Sequence, residues 1–213
     1  MTEIVRLRSG EANVARKALE RCVSGGGVAI FPSDGLYGLA CDPLSAEAIA
    51  KIHRLKGRDD GKPSAVMYFS PLAMRELVAE LGPRTAGFVS VLLPGPVTLI
   101  VANPKRRYPL ACRQDPEQLG IRLIGGPLAG TMCPIFQTSA NVSGEYAPAR
   151  FEEIPQSIVD GADLAIDAGE LPGIPSTVLD ITAIDEDGSW HVLRDGALSP
   201  GDLTSALASV GLD

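Results

Sequence analysis

Segment 31–38 (FPSDGLYG) places a hydroxyl, a carboxylate and two glycines directly after a predicted buried strand. Open α/β sheets keep their ligand crevices at the carboxyl ends of strands, and glycine lets a backbone approach a ligand closely. Ser33 and Asp34 are therefore candidate ligand contacts. An ordinary polar turn has the same composition, so this segment alone leaves both interpretations open.

Segment 56–63 (KGRDDGKP) carries three cations, Lys56, Arg58 and Lys62, at the end of a predicted helix. Arg58 could bind a polyphosphate through two parallel donors, with the lysines acting as point charges. The segment is not a Walker A loop, because its glycines enclose three residues and Pro63 replaces the Ser/Thr that would hold magnesium. The aspartates within it could instead make a solvated, self-neutralising turn.

Segment 137–144 (QTSANVSG) follows another predicted strand and is rich in hydroxyl and amide groups. Thr138, Ser139 and Asn141 could hold phosphate or carboxylate oxygens without adding charge, although an Asn/Ser-rich turn is the common alternative. The glycine spacing does not match the Gly-x-Ser-x-Gly nucleophile elbow, and the chain has only two histidines. A Ser-His-Asp hydrolase is therefore disfavoured.

Isolated polar residues at predicted strands complete the candidate site. Arg122 interrupts the apolar strand 120–124, and a buried arginine needs an anionic partner. Ser176 opens one strand and Arg194 closes another, so both are expected to face the same crevice. The basic run 105–107 lies between prolines and is interpreted as a solvated loop. Together the motifs indicate a pocket for a nucleotide polyphosphate and a small carboxylate.

Helical and strand patterns that alternate along the whole chain must position these groups. Helices are predicted after Ser9 and Ser45, over 71–81 and 84–93, near 126–132 and 151–159, and after Ser199. Strands are predicted over 28–31, 65–69, 97–101, 120–123, 134–137, 164–166, 177–181 and 191–194. We find no internal repeat or long linker, so we expect a single α/β domain over residues 1–213.

Composition narrows the class of protein. The chain has 26 acidic and 19 basic residues, a net charge of −7, and only 5% aromatic residues, which disfavours a nucleic-acid surface. Its four cysteines form no CxxC pair, so a zinc site and a disulfide framework are disfavoured and reduced thiols are expected. The N-terminus lacks an apolar signal segment and no run is long enough to span a membrane, so a cytoplasmic location is expected.

The motifs resemble, in order, those of the YrdC family over about residues 28–196. The matching segments are 31–39, Lys56-Gly57-Arg58 with Lys62-Pro63, 93–98 (LPGPVT), 120–122 (GIR), 138–144 (TSANVSG) and 175–180 (PSTVLD). The resemblance implies a twisted open sheet of mixed parallel and antiparallel strands, flanked by helices, around a concave, positively charged cavity.

The resemblance also implies a threonylcarbamoyl-AMP synthase, a nucleotidyltransferase that uses L-threonine, bicarbonate or CO2, and ATP. Such an enzyme would form threonylcarbamoyl-AMP and pyrophosphate, which is the first half of N6-threonylcarbamoyladenosine (t6A) synthesis for tRNA. Mg²⁺ would arrive with ATP, no organic cofactor is implied, and a pathway partner would perform the transfer, with tRNA contact weak or indirect. Two alternatives remain open: a related carbamoyl-adenylate-forming enzyme that uses carbamoyl phosphate, and a non-catalytic RNA-binding module.

Site residues follow from the same resemblance. Lys56 and Arg58 would be catalytic, and no protein side chain would bind a metal. The implied ATP contacts are Lys56, Arg58, Lys62, Thr98, Thr138, Ser139, Asn141 and Arg194. Ser33, Arg122 and Ser176 would hold threonine, with Arg122 on its carboxylate. The family loop usually reads Pro-Thr-Asp/Glu-Thr, so Gly35 removes one hydroxyl here. Longer members carry a C-terminal domain that this chain is not expected to hold.

Overall fold

A mixed sheet organises the chain in the computed structural model, which describes residues 1–7, 10–57 and 62–208. Over these residues there are ten strands: β1 (Glu3–Arg6), β2 (Ala29–Pro32), β3 (Tyr37–Cys41), β4 (Ala65–Tyr68), β5 (Val97–Ala102), β6 (Gln118–Leu123), β7 (Ile135–Ser139), β8 (Leu164–Asp167), β9 (Thr177–Asp180) and β10 (His191–Arg194). The helices of the same residues are α1 (Ala12–Ser24), α2 (Ala46–Lys56), α3 (Pro71–Val78), α4 (Pro83–Leu92), α5 (Pro109–Cys112), α6 (Gln156–Gly161) and α7 (Pro200–Ala208).

The strand order is β1-β8-β2-β3-β7-β4-β6-β5-β9-β10. Strand β8 pairs in parallel with both β1 and β2, and the pairs β4–β6 and β5–β9 are also parallel. The remaining five pairs, β2–β3, β3–β7, β4–β7, β5–β6 and β9–β10, are antiparallel. The predicted mixed α/β sheet is therefore confirmed.

Both faces of the central strands are buried, which explains why they appear in the sequence as continuous apolar runs. Successive strand residues point to opposite faces. Val28 and Ile30 accordingly join one hydrophobic cluster, whereas Ala29 and Phe31 join the other. On the second face, Phe31 and Phe69 meet edge to face with ring centroids 6.2 Å apart.

Local capping signals set several helix ends. The hydroxyl of Ser45 accepts a hydrogen bond from the amide of Ala48 at 3.2 Å, and α2 ends at Lys56, before a left-handed Gly57 with φ 57°. The hydroxyl of Ser199 likewise accepts from the amide of Asp202 at 3.1 Å at the start of α7. Both predicted starts are confirmed. The predicted cap of α1, Ser9, lies outside the described residues.

Strand β3 is the main element that the sequence did not predict. Its five residues are all buried, but their pattern, YGLAC, contains a glycine and no alternation of polar and apolar residues. The amide of Ser33 donates to the carbonyl of Leu36 at 3.1 Å, so β2 and β3 form an antiparallel hairpin. The candidate segment 31–38 is therefore the tip of that hairpin.

Three smaller expectations differ from the structure. Residues 126–132 form turns rather than a helix, and segment 151–159 is divided between a 3₁₀ turn, Phe151–Glu153, and the start of α6.

The basic run 105–107 is not simply solvated. Hydrogen bonds from Arg107 and Lys105 hold the pKa of Glu80 at about 2, and Arg106 pairs with Glu117. This run therefore contributes to the structure of its own loop.

No helix among the described residues is long and apolar enough to cross a membrane.

Candidate functional site

A polar cavity of about 360 Å³ opens where the tip of the β2–β3 hairpin meets strands from the middle of the sheet. That volume lies within the usual range of small-molecule pockets. Its polar and charged wall residues include Ser33, Ser64, Thr98, Arg122, Gln137, Thr138, Ser139, Ser176 and Arg194. Seven of the residues expected at the site thus share one cavity, although their sequence positions extend from 33 to 194.

Arg122 forms the charged floor of this cavity. It is 5% exposed, and one guanidinium nitrogen, Nη2, donates to Oδ1 of Asp34 at 2.6 Å. The other, Nη1, donates to the hydroxyl of Ser33 at 3.2 Å, and that hydroxyl donates to the same Asp34 oxygen at 2.9 Å. The anionic partner predicted for Arg122 is therefore Asp34, which the hairpin brings onto β6.

The Arg122–Asp34 pair leaves bonding capacity unused. Within the described part of the chain, Nε of Arg122 and Oδ2 of Asp34 are buried and have no hydrogen-bond partner. A buried donor without a partner carries a free-energy cost that a ligand acceptor can relieve. Because Arg122 lines the cavity, its positive charge and this unused donor favour an anionic ligand such as a carboxylate.

A second polar chain lies on β5, β9 and β10. The hydroxyls of Thr98 and Ser176 are 3.0 Å apart, and both residues are buried. Nη2 of Arg194 donates to the carbonyl of Ser176 at 2.8 Å and to its hydroxyl at 3.2 Å. The expectation that Ser176 and Arg194 face one crevice is confirmed.

The electrostatics of the cavity favour an anionic ligand. Burial, followed by the positive charge of Arg122, lowers the pKa of Arg194 below its usual range. Two guanidinium groups thus share one cavity, while Asp34 is the carboxylate bonded to Arg122. A ligand that brings negative charge between the two arginines would relieve their mutual repulsion.

The other expected site residues occupy different places. Lys56 and Asn141 are buried but do not line the cavity, and they are hydrogen-bonded to each other. Lys62 is exposed beside Pro63, which is part of the wall. Arg58 lies outside the described residues. The cations of segment 56–63 that the structure describes are therefore not wall groups.

Several wall residues were not among the expected ligands. Gln137 belongs to a motif singled out above, and Ser64 directly follows Lys62-Pro63, so proximity to a motif was an available signal. Tyr37 lies inside segment 31–38, but nothing near it in the sequence indicated that its hydroxyl bonds the backbone of residues 168 and 169. That hydroxyl accepts from the amide of Ala168 at 2.9 Å and donates to the carbonyl of Gly169 at 2.8 Å. Burial raises the pKa of Tyr37 to about 12.

The segment 173–176 passes directly over the hairpin tip, and Gly35 makes this approach possible. A Cβ atom at position 35 would overlap the carbonyl oxygen of Ile174. The amide of Gly173 also donates to the carbonyl of Gly35 at 2.9 Å. Gly196 packs closely on the backbone of the same segment, around Ser176. A threonine at position 35 would overlap the carbonyl of Ile174 in the same way.

A second cavity, of about 790 Å³, lies on the other side of the hairpin tip and shares Ser33 with the first. Its wall is mainly apolar and includes Pro32, Pro94, Ile124 and Leu128. Among the described residues of that wall Asp34 is the charged one, so the described part of the second cavity offers negative rather than positive charge to a ligand. The polar cavity is therefore the candidate site.

The described residues contain no group of three or more His, Cys, Asp or Glu side chains placed to hold a metal ion.

The chain is similar in sequence and in fold to known proteins. A family model for Sua5, YciO and YrdC proteins, described as telomere recombination, matches residues 21–196. The threonylcarbamoyl-AMP synthase of Methylobacillus flagellatus is 30% identical over 174 residues, which cover 78% of this chain and 94% of that protein. The mouse (Mus musculus) threonylcarbamoyl-AMP synthase is 31% identical over 210 residues, covering 89% of this chain and 69% of the relative.

The structure of P. abyssi Sua5 complexed with L-threonine has a similar fold, with a TM-score of 0.82 and 23% sequence identity. The match covers 97% of this chain and 61% of that one, so this chain spans about three fifths of the Sua5 chain. At this identity the likeness supports the fold alone. The family model, by contrast, matches well over half of this sequence, including the segments that build the polar cavity. The chain therefore belongs to the Sua5/YciO/YrdC family.

Proposed function

We propose that this protein is a threonylcarbamoyl-AMP synthase. It would form threonylcarbamoyl-AMP and pyrophosphate from L-threonine, bicarbonate or CO2, and ATP, for t6A synthesis in tRNA. This makes it a nucleotidyltransferase that transfers an adenylyl group. Its relatives named threonylcarbamoyl-AMP synthase support this activity over a carbamoyl phosphate-dependent enzyme or an RNA-binding module.

The observation that carries the proposal is the pair of arginines in one hydroxyl-lined cavity. Arg122 and Arg194 provide two separate cationic positions, each joined to a serine hydroxyl, Ser33 or Ser176. A reaction between an amino acid and a nucleotide needs such an arrangement, because each substrate brings its own negative charge. We assign the threonine carboxylate to Arg122 and the ATP phosphates to Arg194.

The remaining wall residues fit these two positions. Ser33 and Ser176 flank Arg122 and Arg194, and we propose that their hydroxyls hold threonine. Thr98, Thr138 and Ser139 line the same cavity and would contact ATP as neutral hydrogen-bonding groups. Lys62 would add positive charge at the rim next to the wall. Arg58 stays a prediction from the sequence.

The proposed chemistry needs no nucleophile from the protein. The amine of threonine adds to CO2 and releases a proton to solvent, or it condenses with bicarbonate with loss of water. Either route forms a carbamate. A carbamate oxygen then attacks the α-phosphorus of ATP, the bond to the β-phosphate oxygen breaks, and pyrophosphate leaves with its negative charge. Holding the reactants in line and neutralising charge supply the catalysis. Arg194 would stabilise the departing pyrophosphate.

Mg²⁺ would reach the site bound to the phosphates of ATP, where it neutralises the charge that develops on them. This fits the donors present: Asp34, the carboxylate beside the cavity, is committed to Arg122. The described residues supply hydroxyls, an amide and cations rather than an acidic cage for the ion.

The direct test is threonine-dependent release of pyrophosphate from ATP and bicarbonate by the full chain. We expect release to require threonine and bicarbonate together, and carbamoyl phosphate to give no release in their place. Release with carbamoyl phosphate instead would identify the carbamoyl-adenylate reaction. RNA binding with a steep salt dependence and no ATP turnover would contradict any catalytic assignment.

Substitution of the two arginines tests the assignment of substrates. Arg122→Ala should raise the KM for threonine about 10- to 100-fold, the range expected for lost hydrogen bonds to a charged group, and change the KM for ATP much less. Arg194→Ala is the matched control and should show the opposite preference. Equal effects of Arg122→Ala on both KM values would mean that this arginine does not recognise the carboxylate.

A further inference from the structure

Lys56, the last residue of α2, holds residues 139–143, which we call the 139–143 turn. Its side chain is buried, with 3% of the residue exposed. The ammonium donates to the carbonyl of Asn141 at 2.7 Å, to Oδ1 of Asn141 at 3.2 Å, and to the carbonyl of Ser139. The backbone carbonyl of Lys56 accepts from the amide of Ser143 at 2.9 Å. Both ends of this lysine therefore bind the same turn.

Three hydrogen bonds to described residues are enough to occupy the ammonium of Lys56. An ammonium group has three N–H donors and no acceptor. Three oxygen atoms of the 139–143 turn surround it, two of them backbone carbonyls. For this nitrogen to donate to a phosphate, at least one of those bonds would have to break, and breaking the bond to either backbone carbonyl would remove a donor from that oxygen. Such a loss carries a free-energy cost.

The side-chain amide of Asn141 also has its hydrogen-bonding positions occupied by protein groups. Its Oδ1 accepts from the ammonium of Lys56 and from the hydroxyl of Ser139. Its Nδ2 donates to the carbonyls of Val142 at 2.8 Å and Glu145 at 2.7 Å. A neutral amide has two donors and two acceptor positions, so these four bonds use all of them. The residue is also buried, with 7% exposed.

The 139–143 turn connects this internal network to the candidate site. It begins at Ser139, where β7 ends, and Ser139 and its neighbour Thr138 line the polar cavity. Lys56 itself does not line it. Any influence of the ammonium on a ligand would therefore pass through the position of Ser139.

We propose that Lys56 is a positioning residue that shapes the 139–143 turn through Asn141, so that Ser139 and Thr138 face the nucleotide. Its ammonium does not contact the phosphates, contrary to the role its sequence motif implied. The inference rests on the proposed function, because it requires the cavity to bind ATP. Arg194 then supplies positive charge directly to the nucleotide, whereas Lys56 acts within the protein.

The test is a double-mutant cycle on the affinity of the full chain for Mg-ATP, measured by calorimetry. Lys56→Met and Asn141→Ala should each weaken ATP binding by about tenfold or more. Because both break one network, the double variant should bind ATP within about twofold of the weaker single variant. Losses that multiply in the double variant would show that Lys56 contacts the nucleotide independently and would overturn the proposal.

Lys56→Arg separates geometry from charge. A planar guanidinium cannot place its donors on the three oxygens that surround a single ammonium nitrogen, although it keeps the positive charge. We expect Lys56→Arg to lose as much ATP affinity as Lys56→Met. Affinity within about threefold of wild type would mean that charge alone matters, and would overturn the proposal. Lys51→Met, on the same helix and paired with Asp163 at 2.7 Å, is the matched control and should bind ATP normally.

A measurement without ligand keeps this inference distinct from the proposed function. Hydrogen exchange of the backbone amides from Ser139 to Glu145 should become faster in Lys56→Met than in wild type and in Lys51→Met. Unchanged exchange would refute the positioning role even if ATP binding were lost. If the wild-type protein binds no ATP but the exchange difference is present, the proposed function fails and the structural role of Lys56 stands.

Discussion

Replacement of Asp34 by asparagine tests the ion pair beneath the candidate site. The substitution preserves shape and retains an oxygen that can accept from the hydroxyl of Ser33, but it removes the negative charge opposite Arg122. Breaking a fully buried pair costs about 3–5 kcal/mol, whereas an exposed pair contributes about 0–1 kcal/mol. The two side chains are 6% and 24% exposed. We therefore expect a loss of about 3 kcal/mol in the free energy of unfolding, near the buried limit.

For a chain of this length, about 3 kcal/mol corresponds to a decrease of roughly 6–12 °C in Tm. The assay is thermal unfolding at neutral pH, followed by circular dichroism, for the wild type and the Asp34→Asn variant. Glu170→Gln is the control, because it removes the charge from a pair with Arg150 at 2.9 Å whose side chains are 66% and 55% exposed. That variant should lose less than about 1 kcal/mol.

A double variant measures how much of the stability loss comes from the charge interaction between Asp34 and Arg122. The double variant Asp34→Asn, Arg122→Met buries no unpaired charge. Its loss in free energy of unfolding should therefore be smaller than the sum of the losses of the two single variants. The reasoning is refuted if Asp34→Asn lowers Tm no more than Glu170→Gln does. It is also refuted if the losses of the two single variants simply add.

Two further substitutions test the backbone around the cavity. Tyr37→Phe should cost about 0.5–1.5 kcal/mol, because the partly buried amide of Ala168 loses its acceptor. Burial raises the pKa of Tyr37 to about 12 from 10.0. The neutral phenol therefore contributes fully to the free energy of unfolding below pH 10, and this contribution is lost as the pH rises towards 12. The stability of Tyr37→Phe should lack this part of the decrease at alkaline pH. Gly35→Ala should push back the carbonyl of Ile174, lower stability by about 1–3 kcal/mol and raise the KM for threonine. Gly125→Ala is the control and should change neither stability nor KM, because a Cβ there meets open space. An unchanged KM for threonine in Gly35→Ala would mean that Gly35 does not affect substrate binding.

Much of the fold could be predicted where the signal was local. Ser45 and Ser199 lie directly before the helices they cap, and each cap is made within three residues. The strands β2 and β4 are buried on both faces and stood out as continuous apolar runs, whereas β3, beside β2 in the sheet, did not. Strand β1 could not be recognised in this way, because it lies at the sheet edge and its four residues are mostly exposed. Its pairing with β8 is a tertiary contact that no local pattern encodes.

In the candidate site, too, local sequence signals could be recognised and tertiary contacts could not. The sequence predicted that Arg122 needs an anionic partner, but only the hairpin turn after β2 reveals that the partner is Asp34. For Lys56, the residue type suggested a phosphate contact, because a cation near glycines often has that role. The carbonyls that surround its ammonium belong to a segment more than 80 residues away, and backbone oxygens carry no sequence signature.

The pairing of β1 with β8 has a consequence for how the protein is made. Glu3 lies opposite Leu164, so β1 gains its neighbour only after the chain has been synthesised as far as β8. The cavity is completed even later, because Ser176 and Arg194 enter through β9 and β10. A nascent chain that ends before β9 can form the hairpin, with Asp34 facing Arg122, yet it lacks the second arginine. The cavity can therefore hold a ligand between its two arginines only after β9 and β10 have been synthesised and paired.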